Sequence, residues 1–354
     1  MSGSFPMNGG DGIYSYTKNS EYQREASNNV KEMIDMTIVE KLDVKHLTFA
    51  SRSIHLADLG CSVGPNTFIA MQNVMAAMEK KYYAQSLPSE DLEFQVFFND
   101  HISNDFNTLF ASLPVDRKYF GVGVPGSFYD RLFPSSSLHF VHSSYALHWL
   151  SKVPEKLLDK NSSTWNKGKI HYTGASDEVM KAYAAQFESD MENFLDARAK
   201  EIVVGGMMVL IMQSLPDNID HSKTPTGVIF KFVEDGLMDM VNAGIISEPQ
   251  VDMFNLPVYS ASAKEMTRLI ESNGCFSIEK MELIDPRSKD APINAQAVIM
   301  HVRAAMEGVI VKHFGRDIVD DLFEHISQKC MEDFHLMESS NMKGTQLFIV
   351  LKRK

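Results

Sequence analysis

Ser53-Ile54-His55-Leu56-Ala57-Asp58-Leu59 is a short apolar run that ends in the turn Gly60-Cys61-Ser62-Val63-Gly64, and Pro65 follows at once. Proline suits the first position of a helix, where its missing N–H costs little. Phe68, Ile69, Val74, Met75 and Met78 give that helix a buried face. The unit therefore reads strand, glycine turn, helix. The alternation continues with strands over 94–98, 119–124, 138–141 and 207–212. Between them lie a short helix over 106–109 and a long one along Val179, Tyr183, Phe187, Phe194 and Leu195. A strand joined to the next through a helix returns parallel to the first. The expected class is α/β, a doubly wound and mostly parallel sheet with helices on both faces.

A later strand over 276–283 and a last one over 346–351 extend this plan. The N-terminal segment, 217–258 and 292–342 exceed what a sheet requires, and all three are helix-rich. In the first, Val30, Met33, Ile34, Thr37 and Ile38 recur at helical spacing, and Ser20-x-x-Gln23 reads as a capping box. The chain is expected to be one domain over 1–354. Its sheet core is expected at about 50–215, 275–285 and 345–352, with a helical cap from about 1–45, 217–260 and 292–342. A cap implies an enclosed site.

Charge and composition narrow the partners. Lys plus Arg minus Asp plus Glu is 34 − 46 = −12, which offers no footprint for a phosphate backbone or an anionic lipid surface, so nucleic acid is not expected. The longest apolar run, 203–212, is far short of the roughly 20 residues of a spanning helix, so no membrane is expected. MSGSFPMNGGDG has neither the basic nor the apolar region of a secretory leader, which points to the cytoplasm. Cys61, Cys275 and Cys330 are too scattered for a disulfide framework or a zinc site.

Glycines after the first strand let a ligand approach the backbone at the switch point of such a sheet, and Asp100, ending the next strand, can accept from two ribose hydroxyls. A nucleoside is the expected ligand. A dinucleotide is not, because G-x-G-x-x-G is missing and Asp58 would repel a pyrophosphate. A carboxylate there suits a cationic amino group, as in the methionine part of S-adenosylmethionine. A tight turn with nothing bound is the competing reading.

The segments MNGGDG…SYTKNSEYQ, ADLGCSVGPNT, VFFNDH…NDFNTLF, GVPGSFYDRLFP, HSSYALHWLSKVP and MFNLPVY, in this order, resemble the SABATH family. These are plant S-adenosylmethionine-dependent methyltransferases of small carboxylic acids and xanthine alkaloids. The resemblance covers essentially the whole chain. YALHWLSKVP, NKGKIHYTG and ARAKEIVVGG look most like its loganate methyltransferase branch. The resemblance implies a Rossmann-like class I fold, a homodimer, and the methionine end of the cofactor near Tyr16, Ser20, Asp58, Gly60, Cys61 and Asn66. It implies ribose on Asp100 beside His101, adenine against Ser127 and Phe128, and Ser143 and Tyr145 flanking the sulfonium. Read alone, Ser127-Phe128 is a turn after Pro125-Gly126 with Phe128 in the core.

For the acceptor the resemblance implies Gln23, His148 and Trp149 gripping a carboxylate, with Tyr145 at the shared wall. An amide, an imidazole and an indole N–H are three neutral donors that suit one carboxylate oxygen while the other faces the methyl group. Read alone, His148-Trp149 is a core aromatic pair. A carboxylic acid is already ionised at neutral pH, so in-line displacement requires no general base. The pocket lining implied by the resemblance is Phe230, Val258, Tyr259, His301 and Val302. Neither Phe230 nor Val258 can hydrogen-bond a sugar, so a largely apolar terpenoid or aromatic acid is expected. Asn8 stands where many carboxyl methyltransferases of the family have Lys, which keeps N-methylation of a xanthine as the alternative, ahead of a non-catalytic binding protein. Asn166, Asp252, Phe254 and Asn255 match positions that hold magnesium in some members, and a structural Mg²⁺ or a polar turn both fit those residue types.

Overall fold

The parallel crossovers expected from the sequence are present in the computed structural model, which describes residues 6–47, 53–85, 92–217, 219–286, 294–340 and 345–354. The segment boundaries expected at 1, 50, 292 and 342 lie outside the described residues. Among the described residues one sheet contains β1 (Ser53–Leu59), β2 (Glu93–Asp100), β3 (Phe120–Pro125), β4 (Leu138–Ser144), β5 (Ile202–Gln213), β6 (Phe276–Ile284) and β7 (Gln346–Arg353). Their order is β3-β2-β1-β4-β5-β7-β6. Strands β1 to β5 run parallel, and β7 is antiparallel between β5 and β6. The order reverses at β1, which pairs with β2 on one side and β4 on the other.

The helices are α1 (Tyr16–Asn19), α2 (Glu21–Asn28), α3 (Lys31–Lys41), α4 (Val44–Leu47), α5 (Pro65–Ala84), α6 (Phe106–Ala111) and α7 (Asp177–Glu201). They continue with α8 (Pro225–Asn242), α9 (Glu248–Asp252), α10 (Ala263–Asn273), α11 (Ala295–Phe314), α12 (Val319–Glu332) and α13 (Phe334–Ser339). The N-terminal helical pattern is broken between α2 and α3, where the Asn29 side chain donates to the Pro286 carbonyl at 2.9 Å. On α5 the buried face differs from expectation by one position. Met71 is fully buried, and Ile69 is exposed.

Three apolar clusters follow from this arrangement. One sheet face packs Leu56, Val96 and Phe140 against Ile34 and Ile38 of α3 and Phe68, Met71 and Met78 of α5. The other packs Val141, Met208 and Leu351 against Tyr183, Phe187 and Phe194 of α7 and Leu269 of α10. A third cluster has no strand in it: Phe230, Val233 and Leu237 of α8 meet Val302, Met306 and Ile310 of α11 and Leu322 and Ile326 of α12. No helix among the described residues is long and apolar enough to cross a membrane.

Candidate active site

At the switch point the chain leaves β1 with Gly60 at φ 79°, and a Cβ there would stand 2.3 Å from that of Ala146. Glycine is required on both counts. Gly60 and Cys61 both donate their N–H to the Asn99 carbonyl at 2.9 Å. Ser62 follows at φ 52° and donates its N–H to Asp100 Oδ2 at 2.7 Å. Asp100 Oδ1 accepts from His101 N–H at 2.8 Å. Burial raises the Asp100 pKa, against the lowering by those two backbone N–H groups. Burial, with Asp100 and Asp58 nearby, pushes the Cys61 thiol well above its usual range, so it is no nucleophile at neutral pH.

Asp58 is buried between Thr67, whose hydroxyl it accepts from, and His142 Nδ1 at 2.7 Å. A carboxylate only accepts, so His142 carries its proton on Nδ1. Register places this pair together, since Asp58 lies opposite His142 in the β1–β4 ladder. Ser143 Oγ donates to the Leu59 carbonyl at 2.9 Å. The Tyr16 phenol is buried near Asp100, and both, burial first, raise its pKa. The capping box expected at Ser20 does not form. Ser20 makes no cap bond, and its hydroxyl and carbonyl instead both accept from Asn66 Nδ2 at 3.0 Å. The competitor is geometric: α5 brings Asn66 across the start of α2. Ser127 Oγ accepts from Tyr129 N–H at 3.2 Å, and the Phe128 ring lies 3.5 Å from where a Gly60 Cβ would stand.

Tyr145, whose ring centroid lies 6.2 Å from that of His148, is held at φ 53° with its hydroxyl donating to Gln346 Oε1 at 2.7 Å. His301 Nδ1 lies 3.0 Å from the Asn19 carbonyl, and Nε2 lies 3.2 Å from Gln23 Nε2. A carbonyl needs a donor, so the proton sits on Nδ1 and Nε2 accepts one Gln23 N–H. This leaves Gln23 a second N–H and a buried, unpartnered Oε1. His148 is buried, its Nδ1 is unpartnered, and burial, with His301 nearby, pushes its pKa down to about 4. Burial lowers that of His301 too. Both imidazoles are neutral at pH 7.

Trp149 packs on the cluster that contains Phe230, Val258 and Val302, and its main chain bridges to Val258. Tyr259 points away from these. Alternation along the chain turns it into the α7 cluster, where its hydroxyl donates to Glu265 Oε1 at 2.7 Å. Phe230 is wedged against His171, ring centroids 4.4 Å apart.

The residues matched to magnesium come together as a polar cluster at a turn. Asn255 Oδ1 accepts from Asn166 Nδ2 at 2.7 Å, Asp252 Oδ1 accepts from Gly168 N–H at 2.9 Å, and the buried Asn255 Nδ2 is an unpartnered donor. Phe254 packs its ring on His313 and Phe314. Among the described residues no group of three His, Cys, Asp or Glu side chains could hold a metal.

Sequence reasoning missed Thr67, His142, Asn99 and Gln346, which hold Asp58, the glycine turn and Tyr145. Only the strand order brings His142 beside Asp58, so no local spacing announces it. Three buried polar atoms around the turn, Ser62 Oγ, Asn99 Oδ1 and Asn104 Oδ1, have no partner in the protein. With the glycine cradle they fit a polar nucleoside ligand rather than a bare structural turn.

A glycine turn with unpartnered polar atoms at the switch point of an α/β sheet whose β7 runs antiparallel defines a class I S-adenosylmethionine-dependent methyltransferase. Residues 2–354 match the family described as SAM dependent carboxyl methyltransferase, and the chain belongs to that family, the SABATH methyltransferases. Loganic acid O-methyltransferase of Catharanthus roseus is 47% identical over 353 residues, 99% of this chain and 94% of that protein. Farnesoic acid carboxyl-O-methyltransferase of Arabidopsis thaliana is 40% identical over 353 residues and covered in full. The solved structure of loganic acid methyltransferase with SAH superposes with a TM-score of 0.95 at 47% identity, covering 99% of each chain. S-adenosylmethionine is the methyl donor.

Proposed function

We propose that the chain forms the methyl ester of a small, largely apolar carboxylic acid, a terpenoid or aromatic acid, without a general base. The observation that carries this is the donor chain from Gln23 through His301 to the Asn19 carbonyl, set beside a buried neutral His148 and the apolar Phe230, Val258 and Val302. Bound S-adenosylmethionine supplies an electrophilic methyl group on a sulfonium. Asp58, Gly60, Asn66, Ser20 and Tyr16 hold its methionine end, Asp100 and His101 its ribose, Ser127 and Phe128 its adenine, and Ser143 and Tyr145 the sulfonium region.

Gln23, His148 and Trp149 donate to the carboxylate and orient its free oxygen in line with the methyl group. Such positioning supplies up to roughly 7–11 kcal/mol in intramolecular reactions. The helical layer of α8, α11 and α12 acts as a cap that excludes water, within one domain. With a net charge of −12 the global field opposes an anionic substrate, so its capture rests on these local donors. In the same reading the working form is a homodimer in the cytoplasm, which light scattering and a fluorescent fusion check.

The test is methyl transfer from labelled S-adenosylmethionine to separate panels of apolar acids, loganate and xanthines. The expected product is an ester, with higher kcat/KM for an apolar acid than for loganate, and no activity in Asp58→Ala. A preference for loganate overturns the apolar reading, and N-methylated xanthine as the main product overturns the carboxyl one.

A further inference from the structure

The loop between β3 and β4 carries Ser127 and Phe128 but has no strand ladder over 126–133 to satisfy its backbone. Four of its backbone groups go instead to two side chains in the last turn of α7. The Phe128 and Asp130 carbonyls accept from Arg198 Nη1 and Nη2 at 2.8 and 3.0 Å. Leu132 and Phe133 donate their N–H groups to Glu201 Oε1 at 2.6 and 2.9 Å. Arg198 Nε closes the unit on Glu201 Oε2 at 2.7 Å. Both side chains are fully buried, and the guanidinium lies 5.3 Å from the centre of the Phe194 ring, which packs on Phe128.

Burying two charges costs several kcal/mol each, and a well-packed apolar pair often stabilises a fold as well or better. An apolar pair cannot hold two carbonyls and two N–H groups of an irregular loop. That service is what distinguishes this pair. The Phe128 ring stands close against Gly60, so a shift of the loop acts directly on the glycine turn at the switch point.

We propose that Arg198 and Glu201 are positioning residues for the methyl donor, which fix the loop that presents Ser127 and Phe128 to its adenine. The proposal rests on the reading of those two residues as the adenine wall.

The test uses the full chain with S-adenosylhomocysteine as probe, measured by calorimetry, together with steady-state methyl transfer. Phe128→Ala is expected to raise the Kd about tenfold or more through loss of the buried ring, and Arg198→Lys about tenfold, the size of one lost charge-assisted hydrogen bond. For Arg198→Lys, kcat at saturating donor stays within about twofold of the parent, since the reacting atoms are not touched. If Phe128→Ala binds as the parent does, the adenine reading falls, and the proposal with it. If Phe128→Ala weakens binding and Arg198→Lys does not, the positioning role alone is overturned. Should Arg198→Lys not fold, Glu201→Gln keeps an acceptor for Leu132 and Phe133 but loses the charge. It is expected to raise the Kd about threefold. An unchanged Kd in Glu201→Gln, with only a lower Tm, would show a purely structural pair and overturn the proposal.

Discussion

Gly60 shows how one residue couples conformation to binding. Its φ of 79° disfavours any side chain, and the space a Cβ needs is already filled by Ala146. Gly60→Ala is expected to lower stability by about 2 kcal/mol or more, from left-handed strain and overlap together, and to weaken S-adenosylhomocysteine binding by over tenfold. Calorimetry with parallel thermal melts separates the two, and parent-like affinity would show that the turn does not face the donor. At this scale the residue types were readable, and their partners were not. Asp58 is conspicuous in the sequence, whereas Thr67 and His142, which place one hydrogen bond on each of its oxygens and leave acceptor capacity for a ligand, are reached only by folding α5 and β4 against β1. Ser20 and Gln23 have the spacing of a capping box, but Asn66 and His301, 46 and 278 residues away, take their polar groups.

Helix α5 makes the same point for an element. Its period of 3.6 residues was plain, and its start at Pro65 follows from the residue itself. The angular setting of the apolar stripe was legible only to about one residue, because Ile69 and Met71 are both apolar and the neighbours decide which turns inward. Met71 belongs to the same buried cluster as Leu56 of β1 and Val96 of β2, while Ile69 is exposed. Urea melts should therefore place Met71→Ala about 2–5 kcal/mol below the parent and Ile69→Ala within about 0.5 kcal/mol of it. Equal costs for the two would mean that the helix is rotated from this setting. The strands β2 to β7 run one to three residues past the expected C-terminal ends, while β5 begins five residues earlier than expected, where Val203, Val204 and the two glycines give no alternation to follow.

For the whole molecule, burial of neutral imidazoles sets the acid limit. Burial pushes His139 and His148 to about 4 and His171 to about 3, below the ordinary 6.5 or so of an exposed imidazole. As pH falls below about 6.5 the unfolded chain takes up protons that the folded chain refuses, so stability is lost toward about 4 and is level above 7. His221 and His301, also lowered by burial, add to this, while Asp35, Asp100 and Asp190, raised by burial, act with the opposite sign near their own range. Thermal melts should show a flat Tm from pH 7 to 8 and a steady fall from 6.5 to 4.5, with a smaller fall in His148→Asn. A Tm unchanged between pH 7 and 5 would falsify the neutral burial of these rings. The strand–turn–helix alternation, the glycine turn and the chemical character of the acceptor donors were all set by local sequence, because period, φ preference and hydrogen-bonding capacity belong to the residues themselves. Three things emerged only with tertiary structure: which donor meets which acceptor, which way Tyr259 and Ile69 face, and that one buried ion pair holds the loop over Gly60. They depend on contacts between segments far apart in the chain, and no spacing along a sequence records a distance across a fold.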